Sequence, residues 1–422
     1  MHSVTNAIPT GTIASIPAKA HAHRALICAA LANSPSTILL SRTSKDIDAT
    51  MDSLRGLGAH VVYENKVVTV TPGPVPAKGN VVPHESGTTL RLLLPVAASI
   101  CNDVDVDAKG RLPDRPLEPM LSEMKAHGVT FSQDKPPFTM TGCLQGGNFS
   151  MVGDVSSQFF SGLLLAAPQI GLSTITSTTP LQSSDYVTLT TETMRDFGVE
   201  VEHTLPDTNI NEAFTVPFGA SFIGRDNYQI EGDWSNAAIW MVAAGMTGKP
   251  ITITGMNKNS VQADRRIMQI MIDAGCDVVW DGMNITVTGR ASKPIHADLE
   301  QMPDMLPVMA ALACSISGES SFIKGARLRL KESDRLIAVA NLVRDLGGTV
   351  REEGDDLYIS GNGILKGGHG DCVNDHRLVM AGTLMALISE NPVTLKDSEA
   401  ITKSYPDFFE DWNLLGGDAH GI

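Results

Sequence analysis

Six times along the chain a helix-like stretch closes on a glycine: SLRGLG at Gly58, MKAHG at Gly128, MRDFG at Gly198, MIDAG at Gly275, LVRDLG at Gly347 and WNLLG at Gly416. Successive separations are 70, 70, 77, 72 and 69 residues, too regular for chance. Helices commonly end in a left-handed residue, which glycine adopts without steric cost, so the six glycines mark one unit repeated six times. A β-hairpin pattern follows each of the first five, as in AHVVYENKVVTVTP, with its turn expected at Glu64-Asn65, and CDVVWDGMNITVTG, with its turn expected at Asp281-Gly282. Each marked helix is preceded by an Ala/Leu-rich helix, a short strand such as STILLS, PITITG or PVTLKD, and a polar loop.

A period near 70 with this mixed content is not that of the short-repeat solenoids. The first helix of each unit is apolar nearly all round (LLLPVAASI, LLLAAPQI, LPVMAALA), which predicts burial on every face. The fold class is therefore α/β. Two domains of three repeated units each are expected: residues 1–16 with 233–422, and residues 17–232. The break is placed near Glu231-Gly232-Asp233, where the spacing is longest, and a second crossing near Ile16-Pro17, after a strand at residues 11–16. A cleft between such domains is a common place for a ligand.

Eleven polar corners open helices on this scaffold. Five are Arg42-Thr-Ser-Lys-Asp46, Arg111-Leu-Pro-Asp-Arg115, Ser183-Ser-Asp-Tyr186, Gln262-Ala-Asp-Arg265 and Lys331-Glu-Ser-Asp-Arg335. Helix capping accounts for their serines and aspartates. It does not account for lysine and arginine, which are unfavourable at a helix N-terminus unless an anion compensates them. Further corners lie at Lys19-Ala-His-Ala-His-Arg24, Glu85-Ser-Gly-Thr-Thr-Leu-Arg91, Ser156-Ser-Gln158, Met302-Pro-Asp304, Asn374-Asp-His-Arg377 and Lys403-Ser-Tyr-Pro-Asp407. Together they point to a cleft lined for anionic substrates.

The net charge of −15 argues against a nucleic-acid partner, so anions must be held by local cation clusters. The six cysteines are scattered, with no CxxC pair, and read as buried reduced thiols rather than a disulfide framework or metal site. No run of 18 apolar residues exists, and charged and histidine side chains from Lys19 to Arg24 interrupt the place of an apolar leader. A cytoplasmic location, without membrane contact, is expected.

The corners, taken in order, resemble the enolpyruvyl transferases, and within them the EPSP synthases. The resemblance runs over essentially the whole chain, and Leu330-Lys-Glu-Ser-Asp-Arg335 followed about 40 residues later by Asn374-Asp-His-Arg377 is its most specific part. It implies a two-domain enolpyruvyl-transferase-like fold with the active site between the domains. It also implies transfer of the enolpyruvyl group of phosphoenolpyruvate to the 5-hydroxyl of shikimate 3-phosphate, through a tetrahedral intermediate, by a monomer that needs no metal or cofactor. Glyphosate is the family's phosphoenolpyruvate-competitive inhibitor.

Residue by residue, the resemblance implies Asp304 as the group taking the hydroxyl proton, Glu332 as the acid protonating the methylene carbon, and Lys19 beside them. For shikimate 3-phosphate it implies Lys19, Ala20, Arg24, Ser156, Ser157, Gln158, Ser183, Asp304, Arg327 and Lys331. For phosphoenolpyruvate it implies Lys19, Gly87, Arg115, Gln158, Arg335, Arg377 and Lys403, with Arg91, Tyr186 and His376 behind them. These types suit the ligands, since guanidinium grips a planar carboxylate bidentately and lysine meets phosphate as a point charge.

The sequence departs from the family at Pro17-Ala18-Lys19-Ala20, where serines are usual, and at Arg327, where some members have asparagine. A missing hydroxyl at position 20 predicts weaker shikimate 3-phosphate binding, by about 1 kcal/mol. The related UDP-N-acetylglucosamine enolpyruvyl transferases carry a reactive cysteine in the loop that here reads Gly110-Arg-Leu-Pro-Asp-Arg115, and none is present. A non-catalytic scaffold of the same fold is the other reading; it would bind shikimate 3-phosphate without turnover.

Overall fold

The computed structural model describes residues 1–207 and 211–422. The chain divides into two compact units, one formed by Met1–Ile16 with Glu231–Ile422 and the other by Pro17–Ile230. Each has its own hydrophobic core. The helices alternate in character along the chain. In the Pro17–Ile230 unit they are α1 (Lys19–Ala30), α2 (Lys45–Gly56), α3 (Gly87–Ile100), α4 (Met120–Ala126), α5 (Ser157–Ile170) and α6 (Asp185–Asp196). In the other they are α7 (Trp234–Thr247), α8 (Ile267–Asp273), α9 (Leu306–Ser315), α10 (Arg335–Asp345), α11 (His376–Ala386) and α12 (Phe408–Leu414). Odd-numbered helices are the apolar ones and form the interior: α9 and α11 are buried along their entire lengths. Even-numbered helices are amphipathic covers that end at the repeat glycines, and all six of those glycines have left-handed φ, between 88° and 104°.

Among the described residues the units hold three four-stranded sheets each, all of one pattern: a parallel pair extended by two antiparallel strands. The strand Gly11–Ala14 pairs in parallel with Ile251–Thr254 and completes the first sheet of the Glu231–Ile422 segment. The strand Tyr228–Gln229 does the same for Ser36–Leu39. The sixth repeat has no hairpin of its own after Gly416. Its sheet is completed by His2–Val4, which lies antiparallel to both Val393–Lys396 and Ala419–Gly421. That strand carries no period-two signal long enough to be read in advance.

The hairpin turns sit one residue later than the sequence suggested. Glu64 pairs with Val67, so Asn65 and Lys66 form the turn, both with positive φ; Asp281 pairs with Asn284, leaving Gly282-Met283. A two-residue hairpin turn needs left-handed backbone at its centre, which Asn and Gly supply more readily than Glu or Asp at the strand end.

Glycine also sets one helix contact that matters for the site. A Cβ on Gly162 of α5 would stand 2.5 Å from the carbonyl oxygen of Arg91 and 3.3 Å from Leu92 Cα, so glycine lets α3 and α5 pack backbone to backbone. Five of the six cysteines are buried and Cys143 is half-buried, all as free thiols. No helix of the described residues is long and apolar enough to cross a membrane.

Candidate active site

Five of the polar corners hold helix caps, as expected of their serines and aspartates, and Asp233, read from the sequence only as part of the domain break, is a sixth cap. Ser44, Ser86, Ser156, Asp233, Asp334 and Asp375 each accept a backbone N–H from the first turn of α2, α3, α5, α7, α10 and α11 respectively. Asp304 and Glu332 do not cap. Their carboxylates turn to one guanidinium.

That guanidinium is Arg335, the first residue of α10, whose side chain is only 2% exposed. Its Nη1 donates to Asp304 Oδ1 at 2.6 Å, and its Nη2 donates to Glu332 Oε2 at 2.7 Å. Nε and Nη2 also form a two-point pair with Asp375, at 2.8 and 3.1 Å. Asp375 is fully buried and further accepts from Ser333 Oγ at 2.9 Å and from the Arg377 N–H at 3.0 Å. Its job is structural: it anchors Arg335 from behind. Asp304 and Glu332 stand in front, 22% and 23% exposed.

Lys331 adds a second cation on Asp304 Oδ1 at 3.1 Å. Burial alone would push the Asp304 carboxyl up; Lys331, Arg335 and Arg377 outweigh it and hold the group well below the usual carboxylate range. Burial lowers Lys331, with Arg327 and Arg335 acting the same way, against the pull of Asp304. The positive potential of Arg327 thus reaches the same corner. Lys403 donates to the Asn374 carbonyl at 2.7 Å, and Arg377 Nη1 to the Ser235 carbonyl at 3.1 Å. Asp304, Arg327, Lys331, Glu332, Arg335, Arg377 and Lys403 therefore gather around the N-terminal ends of α9, α10 and α11.

Apart from His376, buried as the first residue of α11, the remaining named residues lie in the Pro17–Ile230 unit. Lys19 opens α1 and pairs with Asp46 of α2 at 2.7 Å. The cap position of α1 is Ala18, which has no side chain to accept a bond. Gln158 links α3 to α5, accepting from Arg91 Nη1 at 3.1 Å and donating to Thr88 Oγ1 at 2.9 Å. Arg115 lies against Gly87 so closely that a Cβ there would stand 2.9 Å from its Cζ. Ser156, Ser157 and Ser183 are buried, Ser183 with a left-handed φ of 55°. Ala20 is half-buried.

Arg24 is turned inward. Its Nε donates to Thr190 Oγ1 at 2.7 Å, Nη1 to the Ala20 carbonyl at 2.7 Å, and Nη2 to the Tyr186 carbonyl at 3.0 Å. Burial lowers its pKa to about 10, with Tyr186 and Cys28 opposing. Sequence reasoning did not single out Asp375 as the counter-ion of Arg335, Asp46 as that of Lys19, or Thr88 behind Gln158. Each lies inside a quoted corner, but its partner is 27 to 70 residues away.

The arrangement offers two carboxylates on one anchored guanidinium, ringed by cations, a set able to move protons next to a bound anion. Comparison with known proteins agrees with that chemistry. A family model described as EPSP synthase (3-phosphoshikimate 1-carboxyvinyltransferase) matches residues 7–412. The 3-phosphoshikimate 1-carboxyvinyltransferase of Clostridium kluyveri is 36% identical over 413 residues, covering 97% of this chain and 95% of that one. Its counterpart in Methanocorpusculum labreanum is 35% identical over 418 residues, covering 97% of both. The structure of EPSP synthase from Acinetobacter baumannii shares the fold with a TM-score of 0.81 at 23% identity, over 100% of this chain and 99% of that one.

Proposed function

This chain belongs to the EPSP synthase family and is a transferase that moves the enolpyruvyl group of phosphoenolpyruvate to shikimate 3-phosphate; on that premise we propose that Asp304 and Glu332 are its proton-transferring pair. The observation that carries this reading is their shared hold on Arg335, which places two partly exposed carboxyl groups one guanidinium apart.

The 5-hydroxyl oxygen of shikimate 3-phosphate attacks C2 of phosphoenolpyruvate. Its proton goes to Asp304 while Glu332 delivers a proton to C3, so the methylene becomes a methyl group and a tetrahedral intermediate forms. In the second step the C3 proton returns to Glu332, the double bond re-forms, and the C2–O bond to phosphate breaks. The proton on Asp304 leaves with the phosphate. Lys331 and Arg335 stabilise Asp304 as the carboxylate, and a carboxylate so held is a weak base. Substrate anions that draw these cations away raise its basicity at the moment it is needed.

Arg335, Arg377, Lys403, Lys19, Arg115 and Gln158 are the donor's anchors in this reading, with the backbone at Gly87 beside them. Lys19, Ser156, Ser157, Gln158, Ser183, Asp304, Arg327 and Lys331 hold shikimate 3-phosphate, with the Ala20 corner beside Lys19. Arg24 joins them by exchanging its bonds to neutral backbone carbonyls for an anionic oxygen, and charge-assisted bonds are about twice as strong. Phosphate release from the two substrates tests the reading. Asp304→Ala and Glu332→Gln should each lower kcat by at least roughly 10²-fold in folded protein. Near-normal kcat in either variant would remove that residue from the pair, and phosphate release that ignores shikimate 3-phosphate would overturn the acceptor.

A further inference from the structure

The corner Gln262-Ala-Asp-Arg265 is the one polar corner of the Glu231–Ile422 segment to which the substrate reading gives no role. It is not idle. Gln262 Oε1 accepts the Trp234 N–H at 3.1 Å, and Gln262 Nε2 donates to the Gly232 carbonyl at 2.9 Å and to Glu231 Oε1 at 2.8 Å. Asp264, 1% exposed, accepts a hydrogen bond from Ser235 Oγ. The corner thus holds the first turn of α7 at several points, and the carbonyl of the same Ser235 receives Arg377 Nη1 at 3.1 Å. Capping does not explain Asp264: it lies inside the turn Ala263–Arg266 and bonds to a different helix. Its Oδ1 and the Nε of Arg377 are both buried without a hydrogen-bond partner among the described residues, so neither group is fixed by any other bond of that atom.

We propose that Asp264 is a positioning residue for enolpyruvyl transfer: acting through Ser235, it sets where the Arg377 guanidinium stands and so how the donor's carboxylate is received. The proposal rests on the reading of Arg377 as a phosphoenolpyruvate anchor. The charges facing Asp264 are those of Asp304, Arg377 and Asp233. Burial pushes its carboxyl up to about 6, with Asp304 acting in the same direction and Arg377 and Ser235 in the other. A group balanced there changes charge just below neutrality, and it would carry that change to Arg377.

Steady-state kinetics of full-length Asp264→Ala, Asp264→Asn and Ser235→Ala, with both substrates varied, tests this. Asp264→Ala and Ser235→Ala should raise the KM for phosphoenolpyruvate roughly tenfold, the scale of a displaced positioning group. The dissociation constant of shikimate 3-phosphate alone should stay within about twofold of wild type, on that same ground. Asp264→Asn keeps the acceptor for Ser235 but loses the charge, so at every pH its KM for phosphoenolpyruvate should stay at the value wild type shows below pH 6, with no limb near pH 6 in kcat/KM. On an Arg377→Ala background, Asp264→Ala should change that KM no further. A normal KM in Asp264→Ala and Ser235→Ala, where Arg377→Ala alone raises it, overturns the proposal and leaves the anchor assignment standing. A normal KM in Arg377→Ala overturns the assignment instead. Should Asp264→Ala not fold, Ser235→Ala and the pH profile of Asp264→Asn decide the matter.

Discussion

Arg335 and Asp375 form a two-point ion pair almost wholly shut off from solvent: 2% of the arginine side chain and none of the aspartate is exposed. The pair fixes the guanidinium from behind while its two outer nitrogens present Asp304 and Glu332. A buried pair of this kind is weak evidence for net stability, but breaking one leaves an uncompensated charge. Arg335→Ala should therefore destabilise the protein by about 3–5 kcal/mol, as well as abolish turnover. Urea denaturation of the full chain checks this; a midpoint near that of wild type would show that Asp375 finds another partner.

Lys331 and Arg335 share Asp304 Oδ1, and their removal should be read in the pH profile. With Lys331→Met, one of the cations holding Asp304 below the usual range is gone, so the acid limb of kcat should move to higher pH. The direction is fixed because loss of a positive neighbour always favours the neutral carboxyl. A limb that stays in place would mean that Asp304 is not the base being titrated.

Asp264 makes a prediction for stability. Its folded pKa, about 6, lies above its usual 3.8, so the folded state holds more protons between those values. Stability must then fall as pH rises through that window. The shift corresponds to about 3 kcal/mol at 1.36 kcal/mol per pKa unit. Asp264→Asn removes this loss, so the stability of the variant relative to wild type should grow from pH 4 to pH 7 and level off above. Asp304, whose carboxyl is depressed, contributes the opposite slope, and its stabilisation disappears as pH falls below 4. Urea midpoints across the pH range separate the two. A variant-to-wild-type difference independent of pH would place the Asp264 proton elsewhere.

Gly87 leaves no room for a side chain, because a Cβ would collide with Arg115 Nη1 and stand 2.9 Å from Cζ. Gly87 has an ordinary helical backbone as the first residue of α3, so Gly87→Ala costs no backbone strain. The long Arg115 side chain must move instead. We expect the KM for phosphoenolpyruvate to rise roughly tenfold, with less effect on shikimate 3-phosphate. Equal changes in both constants would show that the whole α3 start has shifted.

Ala20 should weaken acceptor binding. The neighbouring imidazoles do not fill its place: His21 bonds Tyr228 Oη at 2.8 Å and His23 bonds Thr50 Oγ1 at 2.6 Å, both buried. Ala20→Ser should tighten shikimate 3-phosphate by roughly fivefold to tenfold, about 1 kcal/mol. Calorimetric titration that finds unchanged or weaker binding would show that this corner takes no hydroxyl contact.

The sequence by itself determined the repeat, the helix ends and the caps. Left-handed glycines such as Gly58 and Gly347, and caps such as Ser86 and Asp334, obey sterics and hydrogen bonding within three or four residues, so a local pattern suffices. Family resemblance added the names of Asp304, Glu332 and Arg335, though not their relation. Only the tertiary structure decided that Asp375 both caps α11 and anchors Arg335, 40 residues away, while Asp304 caps nothing and meets the same arginine across 31. It likewise brought His2–Val4 beside Ala419–Gly421 to finish the sixth sheet, and turned Arg24 into its own unit. Which charge meets which is set by how the helices α9, α10 and α11 pack, and packing is fixed by buried apolar faces whose partners lie far apart in sequence.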